Sequence, residues 1–250
     1  MIVAANWKMN PSLEGAGALA QALISRRFEA VQRYLFAPHP YLVPMSIRLQ
    51  GSDVILGGQD CHADTAGAHT GDVSAAMLRD CGAAIALVGH SERRADHGET
   101  SALVRAKAEQ ALAHDLAVMI CVGETLAERE AGQAEQVVID QLRASMPHDV
   151  PSGRVLIAYE PVWAIGTGKV ASLQNIAEMH QGLCDKLIAL FGTALPEKNV
   201  PVLYGGSVNR DNAAEILAID HVSGALVGGA SLQAEGFLAI YQAAIENCAN

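Results

Sequence analysis

Polar side chains stand where apolar runs of the chain end, and their types suit acid–base chemistry on an anionic substrate. Glu160 ends one such run, and Pro161 disfavours helical φ/ψ at Glu160. The preceding strand should therefore end at Glu160 with its backbone still extended. His90 ends a second run, and Asn6 and Lys8 end a third. A carboxylate can take a proton, an imidazole can donate to a substrate oxygen, and an ammonium group attracts an anion. The sequence therefore indicates a proton-transfer site.

Each of these residues also has a simpler interpretation. Glu160 would then be an exposed carboxylate at a strand end, and Lys8 would bury its stem while its ammonium group reaches solvent. His90 would be a histidine satisfied by backbone at a turn, and Cys121, near another strand end, is interpreted as packing. Only convergence of the three charged or titratable groups would favour the catalytic interpretation.

The residues that follow Glu160 have the composition of a closing lid. Val162, Trp163 and Ile165 are bulky and apolar, and two glycines, Gly166 and Gly168, follow them. Large side chains exclude water, and glycines let backbone N–H groups approach a ligand closely. This composition therefore predicts a lid that follows Glu160 and closes over a bound substrate.

His90 precedes a predicted helical turn that begins at Ser91. The partial positive charge of that helix start would disfavour imidazolium, so the sequence predicts a neutral His90 that donates to a substrate oxygen. Gly89 is expected to leave room for this oxygen. Glu92 is expected to neutralise Lys8 when the site is empty.

Two glycine-rich turns near the end of the chain predict a phosphate cradle. Gly205-Gly206-Ser207 and Gly228-Gly229 each follow an apolar run and precede a helical stretch. Backbone N–H groups in such turns bind phosphate, and barrels place this cradle after strands 7 and 8.

The candidate residues lie on a regular pattern of secondary structure. Throughout the chain, apolar runs typical of strands alternate with stretches whose apolar residues have helical spacing. Helices are predicted behind Thr100 and Ser172 as N-caps. Strict alternation predicts a parallel sheet, and eight units in this length favour one closed (β/α)8 barrel domain over residues 1–250, with an open doubly wound sheet as the competitor. The predicted strands are Ile2–Trp7, Tyr34–Ala37, Val54–Gly57, Ala84–Val88, Leu116–Val122, Val155–Tyr159, Val202–Tyr204 and Ala225–Val227.

Composition limits the classes of partner. With 17 Lys+Arg against 27 Asp+Glu, the net charge is −10, which argues against nucleic acid or an anionic membrane as the main partner. Five cysteines without a CxxC pair argue against a disulfide framework and a structural zinc site, and they favour a reducing cytoplasm. The N-terminal run lacks a basic region and is read as a strand rather than a signal peptide, and no stretch has the length of a membrane span.

Several further motifs are spread over nearly the whole chain. They are Asn6-Trp-Lys-Met-Asn10, Gly67-Ala-His-Thr-Gly-Asp-Val-Ser74, Gly89-His-Ser-Glu-Arg93, Ala158-Tyr-Glu-Pro-Val-Trp-Ala-Ile-Gly-Thr-Gly-Lys169, Leu203-Tyr-Gly-Gly-Ser-Val208 and Leu226-Val-Gly-Gly-Ala-Ser-Leu232. In type and in order, these motifs resemble those of the triosephosphate isomerase family.

The resemblance implies a role for each matching position. Glu160 resembles the catalytic base, His90 the electrophile, and Lys8 with Asn6 the pair that stabilises bound substrate. Thr70, in the loop 67–74, resembles a residue that reaches the active site of a neighbouring subunit, so a homodimer is implied. Phosphate-binding positions match Gly166, Ser207, Gly228 and Gly229, and the segment from Pro161 to Ala171 matches the closing lid. Ser91, Glu92 and Cys121 are predicted as supporting residues.

The implied reaction interconverts dihydroxyacetone phosphate and glyceraldehyde 3-phosphate through an enediolate, with no metal or organic cofactor. Another phosphosugar isomerase or lyase, or a non-catalytic phosphate-binding barrel, stays as the alternative. The chain departs from the family pattern at Pro11 and His69, where Gly and an aromatic residue are common. It also lacks an Arg–Asp pair that many members carry near Cys184 and His221.

Overall fold

Eight parallel strands close into a barrel in the order of the sequence, with the eighth strand paired to the first. The structure, a computed structural model, describes residues 1–28, 30–165, 170–192 and 199–249. The strands are β1 (Ile2–Asn6), β2 (Gln32–Ala37), β3 (Val54–Gly58), β4 (Ile85–Val88), β5 (Ala117–Val122), β6 (Val155–Tyr159), β7 (Val202–Tyr204) and β8 (Gly224–Val227). The closed barrel is confirmed, and the open doubly wound sheet is excluded.

Helices lie between the strands. They are α1 (Leu13–Ile24), α2 (Leu42–Arg48), α3 (Ala75–Asp80), α4 (Ser91–His97), α5 (Ser101–Ala113), α6 (Leu126–Glu130), α7 (Ala134–Ser145), α8 (Leu173–Phe191), α9 (Ala213–Leu217) and α10 (Ala234–Ala249). Both predicted N-caps are confirmed, since the Thr100 and Ser172 side chains accept from the N–H groups of Leu103 and Asn175. No helix of the described ranges is long and apolar enough to cross a bilayer.

Side chains alternate between two cores along each strand, because successive residues of a strand point to opposite faces. In β6, Val155, Ile157 and Tyr159 join the core between barrel and helices, whereas Leu156 and Ala158 join the core inside the barrel. The inner core is formed by Ile2, Ala4, Tyr34, Phe36, Ile85, Leu87, Met119, Cys121, Leu156, Ala158, Leu203 and Leu226.

This alternation decides which residue beyond each strand end points into the mouth of the barrel. Inner positions recur at every second residue. Toward the mouth of the barrel this pattern arrives at Asn6 and then Lys8 from β1, at Gln59 from β3, at Glu160 from β6 and at Gly228 from β8. The polar residues at the strand ends are therefore continuations of the inner core.

His180, in α8, is a buried histidine that the fold keeps neutral. Its ring centroid lies 5.9 Å from that of Tyr159, Nδ1 donates to the His221 carbonyl at 3.2 Å, and Nε2 has no partner within the described parts of the chain. Burial lowers the pKa of His180 to about 4.

This low pKa predicts a loss of stability in acid. In the unfolded chain the histidine has a pKa of about 6.5, so its contribution is complete above that pH and is lost as pH falls toward about 4. The gap of about 2.5 pH units corresponds to about 3 kcal/mol. Urea unfolding at pH 7.5 and 4.5 should therefore show a smaller acid loss in His180→Gln than in the wild type. The exposed His148→Gln variant is the control, and an unchanged acid loss in His180→Gln would contradict this account.

Candidate active site

A cavity of about 430 Å³ opens at the carboxyl ends of the strands and collects the residues predicted to do chemistry. Gly166, predicted to bind phosphate, lies outside the described residues, as does most of the glycine-rich half of the predicted lid. The cavity is lined by Asn6, Lys8, His90, Glu160, Ile165, Gly205, Gly206, Ser207, Val208, Asn209, Leu226, Gly228, Gly229 and Ala230.

Glu160 is held by hydrogen bonds on both carboxylate oxygens. Its side chain is 2% exposed, Oε1 lies 3.0 Å from His90 Nε2, and Oε2 accepts from the Ser91 N–H at 2.9 Å. Ser91, predicted as a supporting residue, thus acts through its backbone. The carboxylate is fixed in the cavity wall and aimed at His90.

Two glycines give Glu160 its space. A Cβ at Gly123 would lie 1.7 Å from the Glu160 carbonyl oxygen, and one at Gly205 would lie 2.9 Å from Glu160 Cγ. Real Cβ atoms do not approach so closely, so both positions exclude larger residues while this backbone path is kept.

His90 reaches the cavity through a change in backbone direction rather than through alternation. The inner positions of β4 are Ile85 and Leu87, so alternation alone would point Gly89 inward and His90 outward. Gly89 has φ of 68°, a left-handed conformation that favours glycine. A Cβ there would meet Val104 and Arg94, so the prediction that Gly89 leaves room for a substrate oxygen is wrong. Its role is to turn the chain so that His90 faces Glu160.

The hydrogen bonds of His90 assign its tautomer. Nδ1 accepts from the Glu92 N–H at 3.2 Å, so Nε2 carries the proton and donates to Glu160. Burial lowers the pKa of His90, but the Glu160 carboxylate raises it by more, so the net direction is upward. The helix start still acts on the ring, because its Glu92 N–H occupies Nδ1 and leaves the neutral tautomer that donates through Nε2.

The pKa of Glu160 shifts the opposite way. Burial raises it, yet the His90 ring, the Ser91 N–H and the Lys8 ammonium lower it by more, so the pKa lies below its ordinary value. Glu160 is consequently an ionised carboxylate at neutral pH, which is the form that can take a proton.

Lys8 is held at the cavity by its backbone as well as its charge. It has φ of 53°, its N–H donates to Asn6 Oδ1 at 3.0 Å, and Gln59 Nε2 donates to its carbonyl at 2.9 Å. Its ammonium group pairs with Glu92, as the sequence predicts for the empty site. Gln59 was not identified from the sequence, because an isolated glutamine in a loop carries no distinguishing signal.

Glu124 is a second residue that the sequence did not reveal. It is fully buried, and Oε1 accepts from Trp163 Nε1 at 2.8 Å, Arg129 Nε at 2.8 Å and the Tyr159 hydroxyl at 3.2 Å. Ser207 makes a further link, since its hydroxyl donates to the Ala164 carbonyl at 2.5 Å. The first residues of the predicted lid are thus bonded to the loops after β5 and β7.

A buried charge cluster fixes α4, which carries the partners of Glu160 and Lys8. Lys107 Nζ lies 2.8 Å from both Asp60 carboxylate oxygens and 2.5 Å from Glu99, and Arg93 Nε donates to Glu99 at 2.6 Å. The two positive charges balance the two negative charges, and a charged group inside a protein needs such a partner. The cluster ties the loop after β3 to α4 and α5.

Cys121 packs inside the barrel, in agreement with its interpretation from the sequence. It is fully buried in the inner core. Burial and the nearby Glu160 carboxylate hold the pKa of its thiol well above the ordinary value. The thiol therefore stays protonated, and its support for Glu160 is the packing of the wall beneath it.

The close approach of Gly205 to the Glu160 side chain allows a test of how precisely Glu160 must be positioned. Gly205→Ala should push Glu160 Cγ aside and lower kcat by roughly 10- to 100-fold, because small misplacements of a reacting group are costly. Gly236→Ala, in α10 with only one neighbouring atom at 4.0 Å, is the matched control. Steady-state kinetics would check this, and unchanged kcat in Gly205→Ala would contradict the close packing.

Comparison with known proteins identifies what the chain resembles. The family model described as triosephosphate isomerase matches residues 1–244. The triosephosphate isomerase of Ruegeria pomeroyi is 52% identical, with 97% of this chain and 96% of the relative covered, and that of Caulobacter vibrioides is 50% identical with the same coverage. The crystal structure of triosephosphate isomerase from Bartonella henselae superposes with a TM-score of 0.89 at 40% identity, covering 97% of this chain and 98% of that one.

Proposed function

Because the chain belongs to the triosephosphate isomerase family, we propose that Glu160 and His90 perform the proton transfers of its reaction and that Lys8 binds the anionic substrate. The chain is an isomerase that interconverts dihydroxyacetone phosphate and D-glyceraldehyde 3-phosphate. The observation that carries the residue assignment is the 3.0 Å contact between His90 Nε2 and Glu160 Oε1 in a cavity that Lys8 also lines. Family membership removes the alternatives of another phosphosugar enzyme and of a non-catalytic barrel.

Glu160 is the base in this proposal. Its carboxylate takes the proton from the carbon beside the substrate carbonyl, which gives an enediolate, and returns a proton to the neighbouring carbon. Its lowered pKa keeps it ionised before substrate arrives. Closure of the lid would remove water from the carboxylate and so raise its basicity.

His90 is the electrophile. Its Nε2 carries the proton that now points at Glu160, and the same N–H can donate to a substrate oxygen that enters between them. Donation to the oxygen that gains charge in the enediolate stabilises the transition state, and the ring can pass a proton between the two oxygens. This assignment of a carboxylate base and a neutral imidazole is the one that general accounts of enzyme pKa tuning give for this enzyme.

Lys8 and the glycine-rich turns supply binding. The ammonium group would exchange Glu92 for the anionic substrate, with Asn6 holding the backbone of Lys8 in place. Ser207, Gly228 and Gly229 line the same cavity, where backbone N–H groups can bind phosphate.

A solvent-exchange experiment tests the base assignment directly. A coupled assay with glyceraldehyde 3-phosphate establishes turnover of the wild-type protein. The same reaction in D2O should place deuterium on a product carbon, because a proton held by Glu160 exchanges with solvent. Turnover with full retention of the substrate hydrogen on carbon would contradict transfer through an exchanging base.

We propose further that one domain spans residues 1–250 and that two copies form a homodimer through the loop 67–74. The barrel from β1 to β8 and the family match over residues 1–244 support the single domain. For the dimer, the loop from Asp64 to Asp72 is exposed, and an open cavity of about 370 Å³ lies beside the catalytic one. Lys8 and Met9 line this cavity, and Met9 is 95% exposed, so a partner's Thr70 loop would bury it.

Sedimentation equilibrium checks the dimer. The wild type should give twice the 26.2 kDa mass of one chain. Thr70→Arg should shift the mass to one chain and lower kcat by roughly 10-fold or more, since a buried unpaired charge opposes association. Gln136→Arg, at an exposed position of α7, is the control, and a dimer that persists in Thr70→Arg with normal kcat would exclude this interface.

The proposed compartment is the cytoplasm. The five cysteines are free in the structure, including the exposed Cys248, which suits a reducing environment.

A further inference from the structure

Arg94, on α4, joins the ends of the neighbouring strands β4 and β5. Its Nε donates to the Gly89 carbonyl at 2.9 Å, just beyond β4, and its Nη2 donates to the Cys121 carbonyl at 3.1 Å, in β5. Nη1 donates to the Ser101 hydroxyl and Nη2 to the Ser145 hydroxyl, both at 3.1 Å. These bonds hold the planar guanidinium in one orientation, in which it bridges two backbone carbonyls.

We propose that Arg94 is a positioning residue that acts through His90, because it fixes the peptide unit between Gly89 and His90 and so the direction of the imidazole. The atoms of a peptide unit are coplanar, so a hydrogen bond to the Gly89 oxygen restrains the whole unit. The Arg94 N–H also donates to the His90 carbonyl at 3.0 Å, so Arg94 bonds the carbonyls on both sides of the His90 Cα. This inference rests on the proposed role of His90 as the electrophile.

The turn at Gly89 needs such support because a glycine backbone has many accessible conformations. Gly89 has φ of 68°, and this value turns the chain so that His90 Nε2 lies 3.0 Å from Glu160 Oε1. The hydrogen bond from Arg94 Nε favours the conformation in which that contact forms. The direction of the imidazole is therefore set by a glycine that permits the turn and an arginine that holds it.

The second carbonyl ties this turn to the strand that holds the backbone of Glu160. The Cys121 carbonyl directly precedes Val122, whose own carbonyl accepts from the Glu160 N–H at 2.8 Å. Arg94 thus links the peptide before His90 to the end of β5 against which Glu160 is held. Lysine would not replace it, because a single ammonium group on a flexible stem cannot reproduce a planar fork.

The charge of Arg94 also acts on Glu160. Within the described ranges, the four side-chain hydrogen bonds of Arg94 go to carbonyl and hydroxyl oxygens, and no carboxylate pairs with it directly. Burial lowers the pKa of the guanidinium, and the negative charges of Glu99 and Glu160 oppose this shift. The attraction is mutual, so Arg94 favours the ionised form of Glu160.

Steady-state kinetics of a double-mutant cycle test the proposal. Arg94→Lys should lower kcat by roughly 10-fold or more, because small misplacements of a reacting group are costly. KM should change little, since the cavity proposed to bind substrate is lined by other residues. In the His90→Gln background the same change should lower kcat by less than about threefold, because residues that act as a unit are not additive. Arg143→Lys, an exposed arginine of α7 near Asp140, is the matched control.

Added guanidinium gives a second readout. A cavity of about 230 Å³ adjoins Gly89 and Arg94, and Arg94→Ala would enlarge it by the volume of the missing side chain. Millimolar guanidinium chloride, far below denaturing concentrations, should raise kcat of Arg94→Ala severalfold, whereas ammonium chloride should not, because only guanidinium offers the planar fork. Circular dichroism checks that each variant is folded. If Arg94→Ala does not fold, the cycle with Arg94→Lys decides alone.

A loss of kcat in Arg94→Lys that largely disappears in the His90→Gln background would support the proposal. Normal kcat in Arg94→Lys, equal losses in both backgrounds, or a folded Arg94→Ala that guanidinium does not rescue would overturn it. Normal turnover in His90→Gln would contradict the role of His90 and this inference together. Slow turnover in His90→Gln with additive losses would remove only the role of Arg94.

Discussion

Replacing Glu160 with alanine should lower kcat by roughly 10³-fold or more while a phosphorylated substrate analogue still binds. Removing a general base forfeits about 10²–10⁴ in rate, and here the missing carboxylate is also the hydrogen-bond partner of His90 and of the Ser91 N–H. Lys8 and the turns proposed to bind phosphate keep contacts that do not involve the Glu160 side chain. Stopped-assay kinetics and calorimetric titration of the analogue would measure the two effects separately.

The same variant tests the electrostatic account of the site. Glu160 raises the pKa of His90, so its removal should let burial dominate and lower that pKa, which NMR titration of the ring can follow. Glu130→Ala, an exposed carboxylate on α6, is the control for kcat. Near-normal turnover in Glu160→Ala would end the base assignment, and an unchanged His90 pKa would end the coupling between the two groups.

Replacing Lys8 with methionine should weaken binding of the phosphorylated analogue by about 2–5 kcal/mol. Methionine keeps the length and apolar stem of the side chain but removes the charge, and it leaves the Glu92 carboxylate facing the substrate anion without its partner. Losing one member of a close charge pair costs about this much. Calorimetric titration and KM would both show the loss.

Two further variants sharpen the Lys8 experiment. Glu92→Gln removes the competing carboxylate and should leave affinity equal or higher, since the ammonium group is then free for the substrate. Lys186→Met, on α8, controls for loss of one positive charge from the protein. If Lys8→Met binds the analogue as tightly as the wild type, the ammonium group is a solvent-facing charge and plays no part in binding.

The strands and most of the site could be predicted from the sequence, because side chains in a strand point alternately to its two faces. Asn6, Glu160 and Gly228 continue the inner positions of their strands, so a correct strand assignment already places them at the barrel mouth. His90 does not follow this rule. Its direction depends on the left-handed backbone of Gly89, and one glycine in a sequence does not reveal its φ.

The interactions that the sequence did not reveal join residues that are distant along the chain. Glu124 meets Trp163 across 39 residues and Gln59 meets Lys8 across 51, and only the pairing of the strands in the folded sheet brings these residues together. The upward shift that Glu160 gives to the pKa of His90 was not foreseen for the same reason. The local helix start is visible in the sequence, whereas the carboxylate 70 positions away becomes its neighbour only in the fold.

The glycines on either side of Glu160 have a consequence for the energetics of turnover. Gly123 packs against the Glu160 backbone, Gly205 lies against its Cγ, and His90 and Ser91 hold its carboxylate oxygens, so the Glu160 side chain has few rotamers. The entropy of ordering this side chain is therefore lost when the polypeptide folds, and not at each encounter with a ligand.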